Sequence, residues 1–514
     1  MIKKKVVVIG LDGVSWDILM PLIEQGRMPF LGSYVKEGAW GDLQTTLPPL
    51  TCPAWFSFST GKNPGKLGIF HFVKLDPEKY SIDFTSAEDI EGQDEVWDVL
   101  NKRGFTTGIA NNPVSYPVRK VDGYMIAGFM APPSAKVITY PEDLQKELEE
   151  VAGGYEIDSY LLEDETTHDD PQEEFMKSAL RVLKKRTKVF KHLLKKHPTD
   201  FTFLCYTTPD RVAHHFFIDY FAFLEGKASE RKLASFAKVR KAKEMADDYF
   251  EQLDRDLGEV LALVDKDALV VFASDHGSTA GKGLFYINRW FVNEGYLTLR
   301  KGSRVKYLFT KGFRVLKRML KNPRELRSVK TRVKHFSKGT NIIDLINSGQ
   351  VDWNKTKVFS MPGGVYFNKI SRPEGIVEED EVEALRGEII EKLKKVSFKD
   401  PKGEKEIKLN AFKPQEIWSG DKLNVSPDLY PVLSDDRWGI GHHVTPKTND
   451  FLGQPDVGQH SMEGIFAAAG PGIKKGKIKN AQIIDVIPTL LEYFGVKPPE
   501  DMDGKVLREV FSKR

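Results

Sequence analysis

Three aspartates and three histidines stand in short motifs spread along this chain of 514 residues. They are Asp12 in GLDG, Asp210 and His214 in PDRVAHHF, Asp275 and His276 in SDHG, and His460 in GQHSMEG. Mixed carboxylate and imidazole sets suit zinc, with manganese or iron as alternatives. Asp210 and His214 are four residues apart, so a helical turn beginning at Asp210 places both on one face. Asp275 and His276 are adjacent, where a turn lets both converge. Two divalent ions shared by such groups would clamp the attacking and leaving oxygens of a phosphoryl transfer. The nucleophile that chemistry needs has a candidate in Thr51, within PPLTCPAWF. The loop ending in Pro48-Pro49 meets a helix expected to begin near Pro53, and a helix N-terminus offers free N–H groups to an anion. A hydroxyl close to a bound cation there would be easier to deprotonate.

The groups can meet only if the fold gathers them. KKVVVIGLD, GFTTGIANN, DFTFLCYTT and DALVVFASD each read as a short buried strand bounded by turn residues or charges. GIFAAAG at 464–470 reads as another, and IIDVIPTLLEYFGV after it as a helix; a long helical pattern runs from about Leu233 to Val264. This alternation predicts an α/β fold, a mainly parallel sheet with helices on both faces. In such sheets ligands bind outside the carboxyl ends of the strands, and Asp12, Asp210 and Asp275 all fall at or just past those ends. The alternation lapses at 134–180, which holds the acidic stretch YLLEDETTHDDPQEEF, and from about 300 to 425. The expected organisation is a discontinuous catalytic core, 1–295 with 430–514, and an inserted cap, 296–429.

The order Asp, then Thr in a T-x-P setting, then D-x-x-x-H, then D-H-G, then a late His resembles the alkaline phosphatase superfamily. It looks most like the type I phosphodiesterase/nucleotide pyrophosphatase branch. Each motif is weak alone; five in order, each at a strand end, are specific. The resemblance covers both ends of the core and not the cap. It implies an alkaline phosphatase-like core in which Asp210, His214 and His460 hold one metal ion. Asp12, Asp275 and His276 hold the other, with Thr51 bound to this second ion and forming a phospho-threonine intermediate. The ions implied are zinc, or else manganese. Ala54 departs from the asparagine that phosphodiesterase relatives carry three residues after the nucleophile.

Other readings compete. His442 and His443, in WGIGHHVTP, are expected near the mouth of the site as substrate contacts, and Trp55 is a third candidate contact. His215 rivals His214; His71 reads as a packed or surface histidine and Cys52 as a small packing residue. A phosphomutase or a phosphoryl-headgroup transferase could use the same groups, and so could an idle anion-binding protein. The expected substrate is a phosphoester of a nucleotide, sugar or lipid. A net charge of +3 points to no partner, and no nucleic-acid-specific motif stands out. The segment 300–338 holds fifteen lysines and arginines against one acid, Glu325. Within it VKYLFTKGFRVLKRMLKN has the pattern of a cationic amphipathic helix, a candidate for peripheral contact with an anionic membrane. Two cysteines and an N-terminal apolar run too short for a signal peptide make a cytoplasmic, membrane-peripheral location the expectation.

Overall fold

The computed structural model describes residues 4–75, 82–158, 170–224, 236–300, 340–347, 349–399, 405–444, 451–453 and 458–512. Most of the acidic stretch and nearly all of the basic 300–338 segment, with its membrane reading, lie outside the described residues.

Five parallel strands form the centre of a ten-stranded sheet, in the spatial order Leu269–Ala273, Val6–Leu11, Phe201–Tyr206, Thr107–Asn112 and Gly123–Ala127. Glu463–Ala469 joins antiparallel beside Leu269–Ala273, and Ala39–Gln44 beyond it. The sequence of the first strand explains why both faces are covered. Val7, Ile9 and Leu11 enter one hydrophobic cluster while Val6 and Val8 enter another, as the two-residue period of a strand requires. The first cluster is closed by helices Trp16–Glu24, Thr208–Leu224 and Phe236–Leu261, the second by Thr51–Thr60, Val96–Asn101 and Val486–Phe494. The core is thus α/β with a largely parallel sheet, as the alternation of strand and helix patterns predicted. The helix expected near Pro53 begins two residues earlier, at Thr51.

A third hydrophobic cluster spans Phe285 to Val444, with Phe451 and Leu452 packed against it. It is built on small ladders. Gly283–Tyr286 lies between Trp438–Gly441 and Leu452–Gly453, Val358–Met361 pairs with Gly364–Phe367, and Ser397–Lys399, Glu406–Phe412 and Tyr430–Leu433 form a three-stranded sheet. Short strands separated by polar turns explain why helix–strand alternation vanishes from the sequence here. Among the described residues no helix is long and apolar enough to cross a membrane.

Candidate active site

Asp12 follows its strand directly and still extends the ladder, its N–H donating to Tyr206 O at 3.0 Å. The glycines on either side allow the crowding around it. A side chain at Gly10 would meet Trp55 Cη2 at 2.9 Å; at Gly13, φ +69°, it would lie 2.7 Å from Asp210. Asp275 leaves the neighbouring strand and accepts from Gly13 N at 3.1 Å. Asp210 sits in the first turn of helix Thr208–Leu224, and one turn later His214 Nε2 is 3.4 Å from Asp210 Oδ1. His460 arrives on strand Gln459–Ser461, which pairs antiparallel with Gly277–Thr279. That pairing stacks its ring on His276, with centroids 3.8 Å apart.

The described residues include two sets able to hold an ion at this point, Asp210–His214–His460 and Asp12–Asp275–His276. In all three histidines the Nδ1 side faces a backbone carbonyl: Gly458 O for His214 (2.9 Å), Gly277 O for His276 (3.0 Å) and Pro49 O for His460 (2.7 Å). Each Nδ1 therefore carries the proton, and each Nε2 presents a lone pair. The lone pairs converge. His460 Nε2 and His214 Nε2 are 3.0 Å apart, each 3.4 Å from Asp210 Oδ1. His276 Nε2 is 3.1 Å from Asp275 Oδ2 and 3.9 Å from Asp12 Oδ1. Asp12 Oδ1, Asp210 Oδ1 and Asp275 Oδ2 are buried with no hydrogen-bond partner. Acceptors facing acceptors out of water are costly unless a cation lies between them. The residues present therefore fit divalent ions.

Their protonation reflects the same crowding. Burial, then the Asp275 and Asp210 carboxylates, raises Asp12 well above the ordinary range; burial and Asp210 raise Asp275 to about 7. Burial would raise Asp210 too, but His214, His460 and Arg211 hold it well below. Burial lowers His276 and His214. It would also lower His460, which Asp210 raises instead.

Thr51 opens its helix, buried, with Oγ1 3.2 Å from His276 Nε2. Since that nitrogen is an acceptor, the hydroxyl donates to it. First-turn N–H groups of a helix lack intrahelical partners, so an anion at Thr51 would meet both the hydroxyl and the positive end of the helix dipole.

A cavity of about 390 Å³ adjoins this centre; His214 and His460 form part of its wall, and Leu433 and Trp438 of the third hydrophobic cluster another part. Of the sequence candidates for substrate contact, His442 lines it. His443 does not; it sits edge-on to Tyr286 at 5.9 Å. Trp55 corrects a second expectation. It is fully buried, because its place one turn after Thr51 turns the ring into the sheet, edge-on to Phe58 and Phe203. Its Nε1 donates to Asp12 Oδ2 at 3.2 Å, so it orients a carboxylate instead of a substrate. His215 stacks on Phe175 at 3.9 Å, leaving Asp210 to His214. Cys52 is fully buried in an apolar cluster.

The sequence reading gave two neighbours no part in the site: it took His71 for a packed or surface histidine and passed over Arg211. His71 lines the cavity; its GIFHF context carries no chemical signature. Arg211 is tethered by Nε to Asp158 Oδ2 at 3.0 Å, with Nη1 3.4 Å from Asp210 Oδ2 and its face 4.3 Å from the Phe129 ring. Its signal was a cation inside the PDRVAHHF motif itself.

Residues 6–460 match the family described as type I phosphodiesterase / nucleotide pyrophosphatase. Among solved structures the chain is similar to murine ectonucleotide pyrophosphatase/phosphodiesterase 5, with TM-score 0.54, 15% identity, and 99% of this chain and 100% of that one covered. An inactive variant of the murine protein in complex with AMP gives TM-score 0.53, and the human counterpart 0.52, at the same identity and coverage. At that identity the likeness is one of fold, and it extends over nearly the whole chain. No curated protein sequence matches the chain.

Proposed function

This chain belongs to the type I phosphodiesterase/nucleotide pyrophosphatase family, phosphoester hydrolases, and from that premise we propose that it works through a two-ion site with Thr51 as nucleophile. The observation that carries the reading is the pair of Asp/His sets, with their unpartnered oxygens, converging beside Thr51 Oγ1. Asp210, His214 and His460 would hold one divalent ion and Asp12, Asp275 and His276 the other, zinc before manganese by the donor types. Such ions, when bound, supply a lowered hydroxyl pKa and neutralise charge gathering on the phosphoryl oxygens.

The chain's own groups do the rest. Thr51 Oγ1 attacks phosphorus in line, the bond from phosphorus to the ester oxygen breaks, and the alcohol leaves from a phospho-threonine. The first-turn N–H groups and dipole of helix Thr51–Thr60 stabilise the charge on the transferred group. Water then cleaves the phospho-threonine and frees phosphate or a phosphomonoester. The inactive state of the murine relative solved with AMP makes nucleotide esters the first natural class to assay.

The test strips the protein of metal, restores zinc or manganese, and compares an aryl phosphodiester with an aryl phosphomonoester. Diester preference supports the family chemistry; monoester preference moves the reading toward a phosphatase or mutase. Thr51→Ala should lose at least about a thousandfold in turnover while retaining both ions. A fully active Thr51→Ala protein refutes the covalent route.

A further inference from the structure

The cavity beside the metal centre holds two imidazoles that the proposed chemistry leaves unused. His71 and His442 both line it, and burial, with the neighbouring His71 after it, holds His442 below the ordinary imidazole range. Their neighbours decide what each presents. Val73 N donates to His71 Nδ1 at 3.4 Å, so the His71 proton sits on Nε2. Ser360 Oγ spends its one proton on Gly364 O at 2.9 Å, yet lies 3.1 Å from His442 Nδ1. That contact therefore needs the proton on His442 Nδ1, and Nε2 is left with a lone pair. Among the described residues neither Nε2 has a hydrogen-bond partner. The cavity thus offers one donor and one acceptor, in the same wall as His214 and His460.

Apart from the histidines, one charged side chain, the carboxylate of Asp436, stands among the described residues lining it. Pro48, Leu50, Gly363, Tyr430 and Trp438 contribute to the wall, and no lysine or arginine does among the described residues lining it. A second charged phosphate would find no counter-ion there. A hydroxyl both donates and accepts, and matches the pair.

We propose that His71 Nε2–H and His442 Nε2 read a hydroxyl on the alcohol part of the substrate, so that this enzyme selects phosphoesters of hydroxyl-bearing alcohols that carry no second phosphate. The inference rests on the hydrolase reading for what sits at the metals, but the two can fail separately. Holding the cavity wall is Asn288, which ties Ser360 and the His442 carbonyl together through Nδ2 at 2.6 and 3.0 Å.

The experiment measures binding and turnover side by side. Metal-loaded Thr51→Ala protein is titrated with glycerol phosphate and with propyl phosphate, the same ligand without hydroxyls, in the parent and with His71→Asn or His442→Phe added. Glycerol phosphate should bind about tenfold tighter than propyl phosphate, the worth of one or two buried hydrogen bonds. Each added substitution should erase that margin, read as the ratio of the two affinities within the same variant. Equal affinity for the two ligands in the parent overturns the inference, as does a margin that survives both substitutions. If the margin behaves as expected while the Thr51 enzyme hydrolyses no ester, the hydrolase reading fails and the hydroxyl-reading cavity stands.

Discussion

Replacing Asp275 by asparagine should stabilise the metal-free protein while destroying its metal site. Asp275 is completely buried, and burial with the Asp210 charge raises it from 3.8 to about 7. An acid whose pKa is higher folded than unfolded binds more protons in the native state. Native stability therefore falls as pH rises through the window from about 4 to 7. Above pH 7 the ionised group costs the metal-free fold about 4 kcal/mol, at some 1.4 kcal/mol per pKa unit. Asparagine removes that charge and loses little. Its Oδ1 still accepts from Gly13 N, now at 3.1 Å. Its Nδ2 takes the place of Oδ2, 3.1 Å from His276 Nε2, so an uncharged donor stands where a buried carboxylate oxygen faced an acceptor. The metal-free variant should gain about 2–4 kcal/mol at pH 8, with the gain shrinking steadily toward pH 4. Thermal and urea melts of metal-stripped protein at several pH values measure it. Added zinc should reverse the order, stabilising the parent and leaving the variant nearly unmoved. The affinity lost at that site should exceed the ~10–100-fold that removal of an outer hydrogen-bond partner costs. A variant less stable than the parent at pH 8 without metal, or one that still binds both ions, would refute the account of Asp275 as a carboxylate held in place for a cation.

His460→Ala should reduce bound metal by one equivalent per chain, measured by elemental analysis, and leave the ion beside Thr51 in place; loss of both or of neither contradicts the two-set assignment. Trp55→Phe keeps the buried ring and removes only the hydrogen bond to Asp12 Oδ2. Urea denaturation of the metal-loaded protein should show a loss of about 1–3 kcal/mol, with both ions retained. Asn288→Ala breaks three hydrogen bonds around Ser360 and His442. It should raise KM several-fold more than it lowers kcat, because it disturbs the cavity wall and spares the metal ligands; a selective fall in kcat would count against that division of labour.

Much of the catalytic geometry was legible because it is local. A buried strand that ends on an acid, as at Asp12 and Asp275, places that acid at the carboxyl edge of a parallel sheet whatever the rest of the chain does. The four-residue spacing of Asp210 and His214 becomes one helical face through the backbone alone. The tertiary structure decided what local pattern cannot carry. His460 meets His276 only because Gln459–Ser461 pairs with Gly277–Thr279, a contact between segments with no shared periodicity. Trp55 and His71 lie on the same stretch of sequence around Thr51, yet one is driven under the sheet and the other into the cavity. The choice depends on which face of the helix packs on Phe203 and on where the chain leaves it. The tautomer of His442 is set by Ser360, 82 residues away in sequence, whose own proton goes to Gly364 O. Hydrogen-bond partners brought from distant parts of the chain cannot be read from the residues they will orient.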